Sequence, residues 1–303
     1  MPSSDQHSGQ PYPLDAAALH PDLHTRSGEH YFRQCAVTRA QLKDLLVKHL
    51  AIEHDLFLLA NTSHGLVTAL AGLVLEAVHL DTSASKYPPY TAFARWSARI
   101  TTISTPLLTH VDPLSGHIVP IPKEGSTPVV VDAAQSFATI VHHREALLAD
   151  VFICPLHKHA GIATGLGLLG IKPGLAMPGL RSVASVAESG TACLSLLEAA
   201  VGQILAHEGR ILNRLTLDLD PGFRNELDAK GITVLTPAGA GLPFICLQGA
   251  PQQLEQNCRR FGFSVRLFRK QNVVRISGAV RGSLDSAPED RTADLQKALL
   301  YLL

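Results

Sequence analysis

Residues 129–136 read Val-Val-Val-Asp-Ala-Ala-Gln-Ser, and residues 149–158 read Ala-Asp-Val-Phe-Ile-Cys-Pro-Leu-His-Lys. Both stretches contain a short apolar run without an internal charge, which predicts a strand that is buried on both faces. Polar residues follow each run at once: Asp132 and Gln135 follow the first, and Lys158 follows the second. Because ligands bind at the carboxyl ends of strands in open α/β sheets, these residues predict a ligand site at one sheet edge.

The chain on either side of these strands alternates between strand and helix patterns. A helical pattern begins near Thr38, and residues 55–60 are a short apolar run that predicts a strand. A polar turn at 61–64 and a helical run from Gly65 to about Val78 follow it. Residues 101–104 suggest a further strand before a loop-rich stretch. We therefore expect an α/β fold with a mostly parallel sheet covered by helices.

The last third of the chain has a different pattern. A long helical stretch runs from Leu194 to about Leu215. It is followed by predicted strands at 231–235, 242–247, 263–267 and 272–277 and by two predicted helices at about 251–261 and 290–302. This order predicts a compact α+β unit. We expect an N-terminal arm over residues 1–28, a large domain over 29–205 and a small C-terminal α+β domain over 206–303.

Composition excludes several classes of protein. The 303 residues contain 26 Lys+Arg and 26 Asp+Glu, so the formal net charge is zero, and there is no basic footprint for nucleic acid or an anionic membrane surface. No apolar run is long enough for a transmembrane helix, and the polar N-terminus does not have the pattern of a secretory signal. The five cysteines include no Cys-x-x-Cys pair, so we expect neither a disulfide framework nor a metal site, and a cytoplasmic location.

A glycine-rich stretch at 165–170 matches the Gly-x-Gly-x-x-Gly pattern of dinucleotide-binding loops. That loop must open a helix, but Pro173 and Gly174 follow directly, and they break helices. We therefore interpret these glycines as part of an apolar strand or turn, and we reject dinucleotide binding.

Each candidate site residue has an ordinary structural explanation when it is taken alone. Asp132 is also a typical helix N-cap, as are Thr62 and Ser63. A single lysine after a strand, such as Lys158, is usually solvated, whereas a desolvated one has the lowered pKa that Schiff-base chemistry needs. The histidines at 157 and 159 are a weak metal pattern because no third ligand is near them in sequence.

In combination and in order, these features resemble the class V aminotransferase-like family of pyridoxal-phosphate (PLP) enzymes. That family belongs to fold type I and includes cysteine desulfurases and kynureninase-like proteins. The stretches at 129–136 and 149–158 resemble its strand, Asp-x-x-Gln, helix, strand and His-Lys pattern. Weaker resemblances lie at Thr62-Ser63, at Ser189-Gly-Thr191 before a long helix, and at Val274-Arg-Ile-Ser277. The resemblance covers about residues 30 to 303.

The resemblance implies a role for each candidate residue. Lys158 would hold PLP as a Schiff base and then move protons at Cα of an amino-acid substrate. Asp132 would pair with the pyridinium nitrogen, Gln135 would contact the phenolic oxygen, and Arg275 would bind the substrate α-carboxylate. The implied contacts to the rest of the cofactor, mainly its phosphate, come from Thr62, Ser63, His64 and His157, together with Gly190 and Thr191 of a partner subunit. Because these last two residues would reach the cofactor of the other subunit, the resemblance implies a homodimer with shared active sites.

The sequence also departs from the family pattern. Leu156 stands where the family usually has a serine, and residues 81–90 contain no histidine to stack on the cofactor, so Ser83, Ala84 or Tyr87 would face it. These changes imply an altered pocket and an unusual substrate.

The reaction itself stays open between several PLP chemistries. The segment 263–272 lacks the mobile cysteine that desulfuration needs, and Cys258 fits a helix core better. We expect an aminotransferase or a Cβ/Cγ lyase that works through a Cα carbanion. The alternatives are a PLP-dependent cyclase or racemase and a catalytically inert family member that serves as a binding subunit. Basic residues at 266, 269 and 270 mildly favour an acidic or larger substrate, although a solvated basic edge strand is the better explanation of them.

Overall fold

The computed structural model describes residues 28–82, 103–122, 127–162, 164–251, 253–278 and 291–300. The predicted N-terminal arm lies outside these residues, except for Gly28, which begins the first helix. Ser83, Ala84 and Tyr87 also lie outside them.

A six-stranded sheet forms the centre of the larger part of the chain. Its strands are β1 (Asp55–Leu59), β2 (Val78–Asp81), β3 (Ile103–Thr109), β4 (Val130–Asp132), β5 (Val151–Pro155) and β6 (Gly167–Ile171). They lie in the order β1-β6-β5-β4-β3-β2. Five strands run in one direction, and β6 runs in the opposite direction between β1 and β5. The register pairs Thr109 with Asp132 and Asp132 with Ile153, so the carboxyl ends of three strands meet at one edge. The expected α/β class with a mostly parallel sheet is confirmed.

Helices cover both faces of this sheet, as the uncharged strands predicted. They are α1 (Gly28–Leu50), α2 (Thr62–Leu75), the short α3 (His143–Ala146), α4 (Pro178–Ser189) and α5 (Leu194–Ala206). Along β5, Phe152 and Cys154 pack in the core beneath α1 and α5, whereas Val151 and Ile153 pack in the core beneath α2 and α4. Strand residues therefore alternate between two apolar layers, which is why the strand carries no charge.

The glycine-rich stretch is part of strand β6, which agrees with the rejection of a dinucleotide-binding loop. A Cβ atom at Gly170 would lie 2.1 Å from the ring of Phe152, and one at Gly167 would lie 2.9 Å from the carbonyl oxygen of Cys154. Glycine is needed here because β6 is inserted between β1 and β5, against a large buried ring.

The C-terminal part has its own antiparallel sheet. Its strands are β7 (Thr233–Val234), β8 (Phe244–Gln248), β9 (Ser264–Phe268) and β10 (Val273–Ser277), with a 3-10 turn between the last two. They lie in the order β7-β8-β10-β9. Helices α6 (Pro221–Ala229), α7 (Leu254–Arg260) and α8 (Thr292–Leu300) pack on it around a separate apolar core. The core of the large sheet extends to Ile211, and the second core begins at Leu215.

Several element boundaries differ from those predicted by the sequence. The helix expected over 194–215 ends at Ala206, because Glu208 and Gly209 adopt left-handed backbone conformations and the Gly209 amide returns to the Ile204 carbonyl oxygen at 2.9 Å. Gly209 is required there, since a Cβ would overlap the His49 ring. Helix α6 was not predicted at all.

The second predicted helix is shifted, because α2 begins at Thr62 and ends at Leu75. Ala77 has a φ of 55° and starts the turn into β2, whose first residue, Val78, was included in the predicted helix. Strand β3 likewise continues to Thr109, into the stretch expected to be loop. Within the described residues, no single helix is long and apolar enough to cross a membrane, and only the sharply bent pair α4 and α5 passes that test jointly.

Candidate functional site

A cavity of about 420 Å³ lies at the carboxyl edge of the large sheet, against β9 and β10. It is lined by Asn61, Thr62, Ser63, Thr109, Val111, Pro113, Leu114, Asp132, Ala134, Gln135, Lys158, Arg266, Phe268, Gln271 and Arg275. Six of the residues predicted from the sequence therefore meet here: Thr62, Ser63, Asp132, Gln135, Lys158 and Arg275. This is the edge at which the ends of β3 and β4 and the turn after β5 converge.

Lys158 places an amine in the lining of the cavity. Strand β5 ends at Pro155, and the turn after it brings the lysine to the sheet edge. Burial lowers the pKa of Lys158 to about 8, and the positive charges of Arg275 and Arg266 lower it further, while Asp132 acts in the opposite direction. About a tenth of this amine is therefore unprotonated, and so nucleophilic, at pH 7, far more than for a free lysine.

The amide of Gln135 links two cationic groups of the cavity. In the amide orientation that satisfies its hydrogen bonds, the side-chain oxygen accepts from Lys158 Nζ at 2.8 Å and from Arg275 Nη1 at 3.3 Å. Gln135 is buried and lies in the turn after β4. It therefore holds the lysine and the arginine at one position, although they are far apart in sequence.

Asp132 ends β4 and is buried at the edge of the cavity. Its Oδ1 accepts a hydrogen bond from the Ala134 amide at 2.9 Å. The residues after it form a turn, and the next helix begins only at His143, so Asp132 stabilises the turn and is not a helix N-cap.

The N-terminus of α2 forms one wall of the cavity. Asn61 is its N-cap, and the side chain accepts from the His64 amide at 2.9 Å. The hydroxyls of Thr62 and Ser63 lie in the first turn, where helix amides have no partner within the helix. Amides, hydroxyls and the helix dipole together make this wall suitable for an anion such as a phosphate.

Two arginines form the opposite wall. Arg275 on β10 pairs directly with Arg266 on β9, and both guanidinium groups reach the cavity. The Arg266 guanidinium carbon lies 5.1 Å from the centre of the Phe268 ring, and that of Arg275 lies 5.5 Å from Phe244. Arg275 is buried and its Nη1 also reaches the Pro113 carbonyl oxygen at 3.5 Å.

Four residues predicted for the site do not line this cavity. His64 turns back to β1, and its Nδ1 accepts from the Ala60 amide at 3.3 Å. The His157 side chain is exposed next to Lys158. Gly190 is the C-cap of α4, and the buried Thr191 hydroxyl donates to the Ala187 carbonyl oxygen at 2.7 Å. These last two lie at the turn between α4 and α5.

The unusual Leu156 has a structural explanation. Its side chain is fully buried in the core shared with α1 and α5, and its amide donates to the Leu166 carbonyl oxygen at 2.9 Å. The residue therefore serves packing and does not line the cavity.

Sequence reasoning missed part of the cavity wall. Thr109 ends β3, and Val111, Pro113 and Leu114 follow it in a turn that we predicted only as loop. The turn pattern Asp112-Pro-Leu-Ser-Gly116 was the available signal, since Asp112 accepts from the Leu114 amide at 2.7 Å. Its position after a parallel strand places this turn at the ligand edge.

Solved structures with the same fold are PLP enzymes of fold type I. A cysteine desulfurase from Thermococcus onnurineus NA1, determined in its apo form, matches with a TM-score of 0.59 and 16% identity over 96% of this chain and 90% of that one. A subgroup IV aspartate aminotransferase from Thermus thermophilus matches with a TM-score of 0.54 and 16% identity over 96% and 94%. A serine palmitoyltransferase from S. paucimobilis with a bound PLP–myriocin aldimine matches with a TM-score of 0.53 and 13% identity over 88% and 77%.

The fold is therefore that of the fold type I PLP enzymes, and the cavity lies at the edge where the large sheet meets the C-terminal unit. None of the curated proteins matches the sequence. The family model that matches, over residues 14–303, is described as a family of unknown function, DUF6024. The chain belongs to that family.

Proposed function

We propose that this protein is a PLP-dependent enzyme of the class V aminotransferase type that acts on an amino acid through Lys158. The observation that carries the proposal is the position of the Lys158 amine. It lies in the cavity with a lowered pKa and is held by Gln135, while Asp132 lies at the adjacent strand end. Schiff-base chemistry uses an unprotonated amine, and desolvation together with neighbouring cationic groups favours that form of Lys158.

The side chains of the cavity fit PLP group by group. Asp132 offers a carboxylate for the pyridinium nitrogen, Gln135 offers an amide for the phenolic oxygen, and the first turn of α2 with Thr62 and Ser63 offers donors for the phosphate. When bound, PLP supplies an electron sink that stabilises negative charge at Cα of an amino acid. Lys158 is the group available to hold the aldehyde carbon and to move a proton at Cα.

His64 and His157 would support the phosphate only indirectly or after a change in side-chain position, because neither lines the cavity. His64 contacts the β1 end through the Ala60 amide, so its support for the phosphate would act through the position of Asn61 and the helix start. His157 is exposed, and it would need to turn inward to reach the phosphate.

For the reaction, we propose transamination or Cβ/Cγ elimination, with cyclisation or racemisation as alternatives. Desulfuration is disfavoured because the described turn between β9 and β10, over Arg269–Asn272, contains no cysteine. Cys258 is fully buried in the C-terminal core, where burial raises the pKa of its thiol to about 12 and keeps it from acting as a nucleophile.

For the substrate, we propose an amino acid that carries a second acidic group. Arg275 is placed to bind the α-carboxylate with its planar guanidinium, and Arg266 is its direct neighbour in the same cavity. The second guanidinium distinguishes this cavity from one that would admit only a neutral side chain.

We also propose a cytoplasmic homodimer with shared sites. Gly190 and Thr191 resemble the segment that reaches a partner's cofactor phosphate, and they lie away from the cavity of their own chain. A role for them in phosphate binding therefore requires a second subunit. Light scattering coupled to gel filtration should give twice the mass of one chain.

The test of the enzyme proposal is reconstitution with PLP. We expect the wild-type protein to turn yellow, to become colourless on borohydride reduction, and to carry the reduced cofactor on the peptide that contains Lys158. Lys158→Ala should stay colourless, while Lys172→Ala, which removes an exposed lysine paired with Asp150, should behave like the wild type.

The second candidate function, an inert binding subunit, rests on the altered Leu156 position and predicts the opposite result. A folded wild-type protein that takes up no PLP would exclude the enzyme proposal. If the yellow protein forms, a panel of amino acids should shift its absorption, and the products identify the reaction.

A further inference from the structure

A cluster of two histidines and one glutamate lies beside the cavity but outside it. One ring nitrogen each of His110 and His142 and one carboxylate oxygen of Glu145 all lie within 4.8 Å of one another. Both imidazoles are buried, and the glutamate side chain is 37% exposed, so the cluster reaches solvent on one side. No sequence pattern indicates this cluster, because more than thirty residues separate His110 from the other two.

His110 is a buried imidazole whose ring nitrogens make no hydrogen bond to any described residue. Its side chain is fully buried, and its Nε2 lies 3.4 Å from Glu145 Oε2 without hydrogen-bond alignment. Buried polar atoms without partners cost free energy, and in native proteins they indicate an unrecorded water or ion.

The second histidine is held in the tautomer that a metal needs. His142 Nε2 lies 2.7 Å from the Ala240 carbonyl oxygen, so this nitrogen donates its proton and leaves the Nδ1 lone pair available. A histidine that donates one ring N–H to a backbone carbonyl and offers the other nitrogen is typical of metal ligands. The Thr139 hydroxyl accepts from the His142 amide at 3.3 Å, which fixes the start of α3.

We propose that His110, His142 and Glu145 bind a divalent transition metal, with Zn²⁺ as the best fit and solvent completing the coordination. Two imidazole nitrogens and a carboxylate oxygen are a ligand set that Zn²⁺ takes in proteins. Ligand atoms on a tetrahedral zinc ion are about 3.4 Å apart, since the bonds are about 2.0–2.1 Å long. The His110–Glu145 separation already has this value, and the other separations need a small contraction.

The position of the site indicates a structural role. Thr109 and Val111, on either side of His110, line the cavity, and the His110 amide donates to the Asp132 carbonyl oxygen at 3.1 Å. His142 reaches Ala240, in the loop before β8. A metal here joins the end of β3 to α3 and, through His142, to the C-terminal unit, so its binding stiffens one wall of the active site.

The test uses the full-length protein after treatment with a chelator, titrated with Zn²⁺ against a chromophoric chelator as competitor. We expect one Zn²⁺ per chain, a rise in melting temperature, and an affinity at least about tenfold lower in Glu145→Gln, because even outer-shell changes cost that much. Glu255→Gln is the matched control, since that side chain is 34% exposed and paired only on the surface. It should bind like the wild type.

X-ray absorption at the zinc edge gives a second readout that does not depend on the variants. The loaded wild-type protein should show scattering from two imidazole rings. Zinc binding that is unchanged in Glu145→Gln, or a zinc shell without imidazole, would overturn the proposal, as would an absence of binding.

Discussion

Arg275 on β10 is the direct antiparallel partner of Arg266 on β9, and both side chains enter the cavity that contains Lys158. Like charges opposite each other in a sheet are destabilising, and a bound anionic group near them would reduce that repulsion. Contacts of the guanidinium groups with Phe268 and Phe244 offset part of the repulsion.

Arg266→Gln should weaken the binding of dicarboxylic amino acids and leave that of neutral ones nearly unchanged. A charge-assisted hydrogen bond contributes about 1.5–3 kcal/mol, which corresponds to roughly ten- to a hundredfold in apparent Kd or KM. The measurement is the concentration dependence of the absorption change that each amino acid produces. Arg269→Gln is the control, because Arg269 is exposed and does not line the cavity. Equal effects of the two substitutions would contradict an acidic substrate.

The reactivity of Lys158 should depend on pH with a midpoint near the pKa of about 8. The unprotonated amine is the nucleophile, so the rate of imine formation with salicylaldehyde should rise through this value and level off above it. Salicylaldehyde has neither a pyridine nitrogen nor a phosphate, which isolates the lysine from cofactor binding. Borohydride trapping and peptide mapping identify the labelled lysine.

Two substitutions should move this midpoint in opposite directions. Arg266→Gln removes a positive charge that lowers the pKa, so the midpoint should move to higher pH. Asp132→Asn removes the negative charge that stabilises the ammonium form, so the midpoint should move to lower pH, in each case by up to about one unit. Shifts in the same direction would contradict the assignment.

Leu156→Ser, which restores the residue usual in similar enzymes, should destabilise the protein without improving cofactor binding. The side chain is fully buried, so the change should lower the free energy of unfolding by about 3–5 kcal/mol through the lost apolar contacts and a buried hydroxyl. Urea denaturation measures this loss. Leu156→Met keeps the volume and should cost less than about 1.5 kcal/mol. A tighter PLP affinity in the serine variant would mean that this position reaches the phosphate.

Gly170→Ala and Gly202→Ala should have effects of opposite sign on stability. The new methyl group at 170 would overlap the fully buried Phe152 ring, which should lower the free energy of unfolding by about 1–3 kcal/mol. Gly202 lies inside α5 with open space around it, so alanine there should raise the free energy of unfolding by about 0.5–1 kcal/mol. Thermal and urea unfolding of the two variants, compared with the wild type, provide the measurement.

The central strands could be predicted because an uncharged apolar run of this length is typical of a strand buried on both faces. The uncharged stretches of β4 and β5 face apolar layers on both sides, and the polar residues at their ends therefore emerge at one edge of the sheet. The interruption at Glu208 and Gly209 was less visible, since the apolar periodicity continues past the point where the backbone turns left-handed.

By itself, the sequence determined the α/β class and the two buried strands after which Asp132 and Lys158 emerge. Only the tertiary structure decided which side chains share the cavity. It brought Arg275 and Gln135 within 3.3 Å, paired Arg275 with Arg266, and turned His64 toward β1. Hydrophobic periodicity is local and records whether a residue is buried, whereas the contacts of a polar side chain depend on strand register and on packing between distant segments.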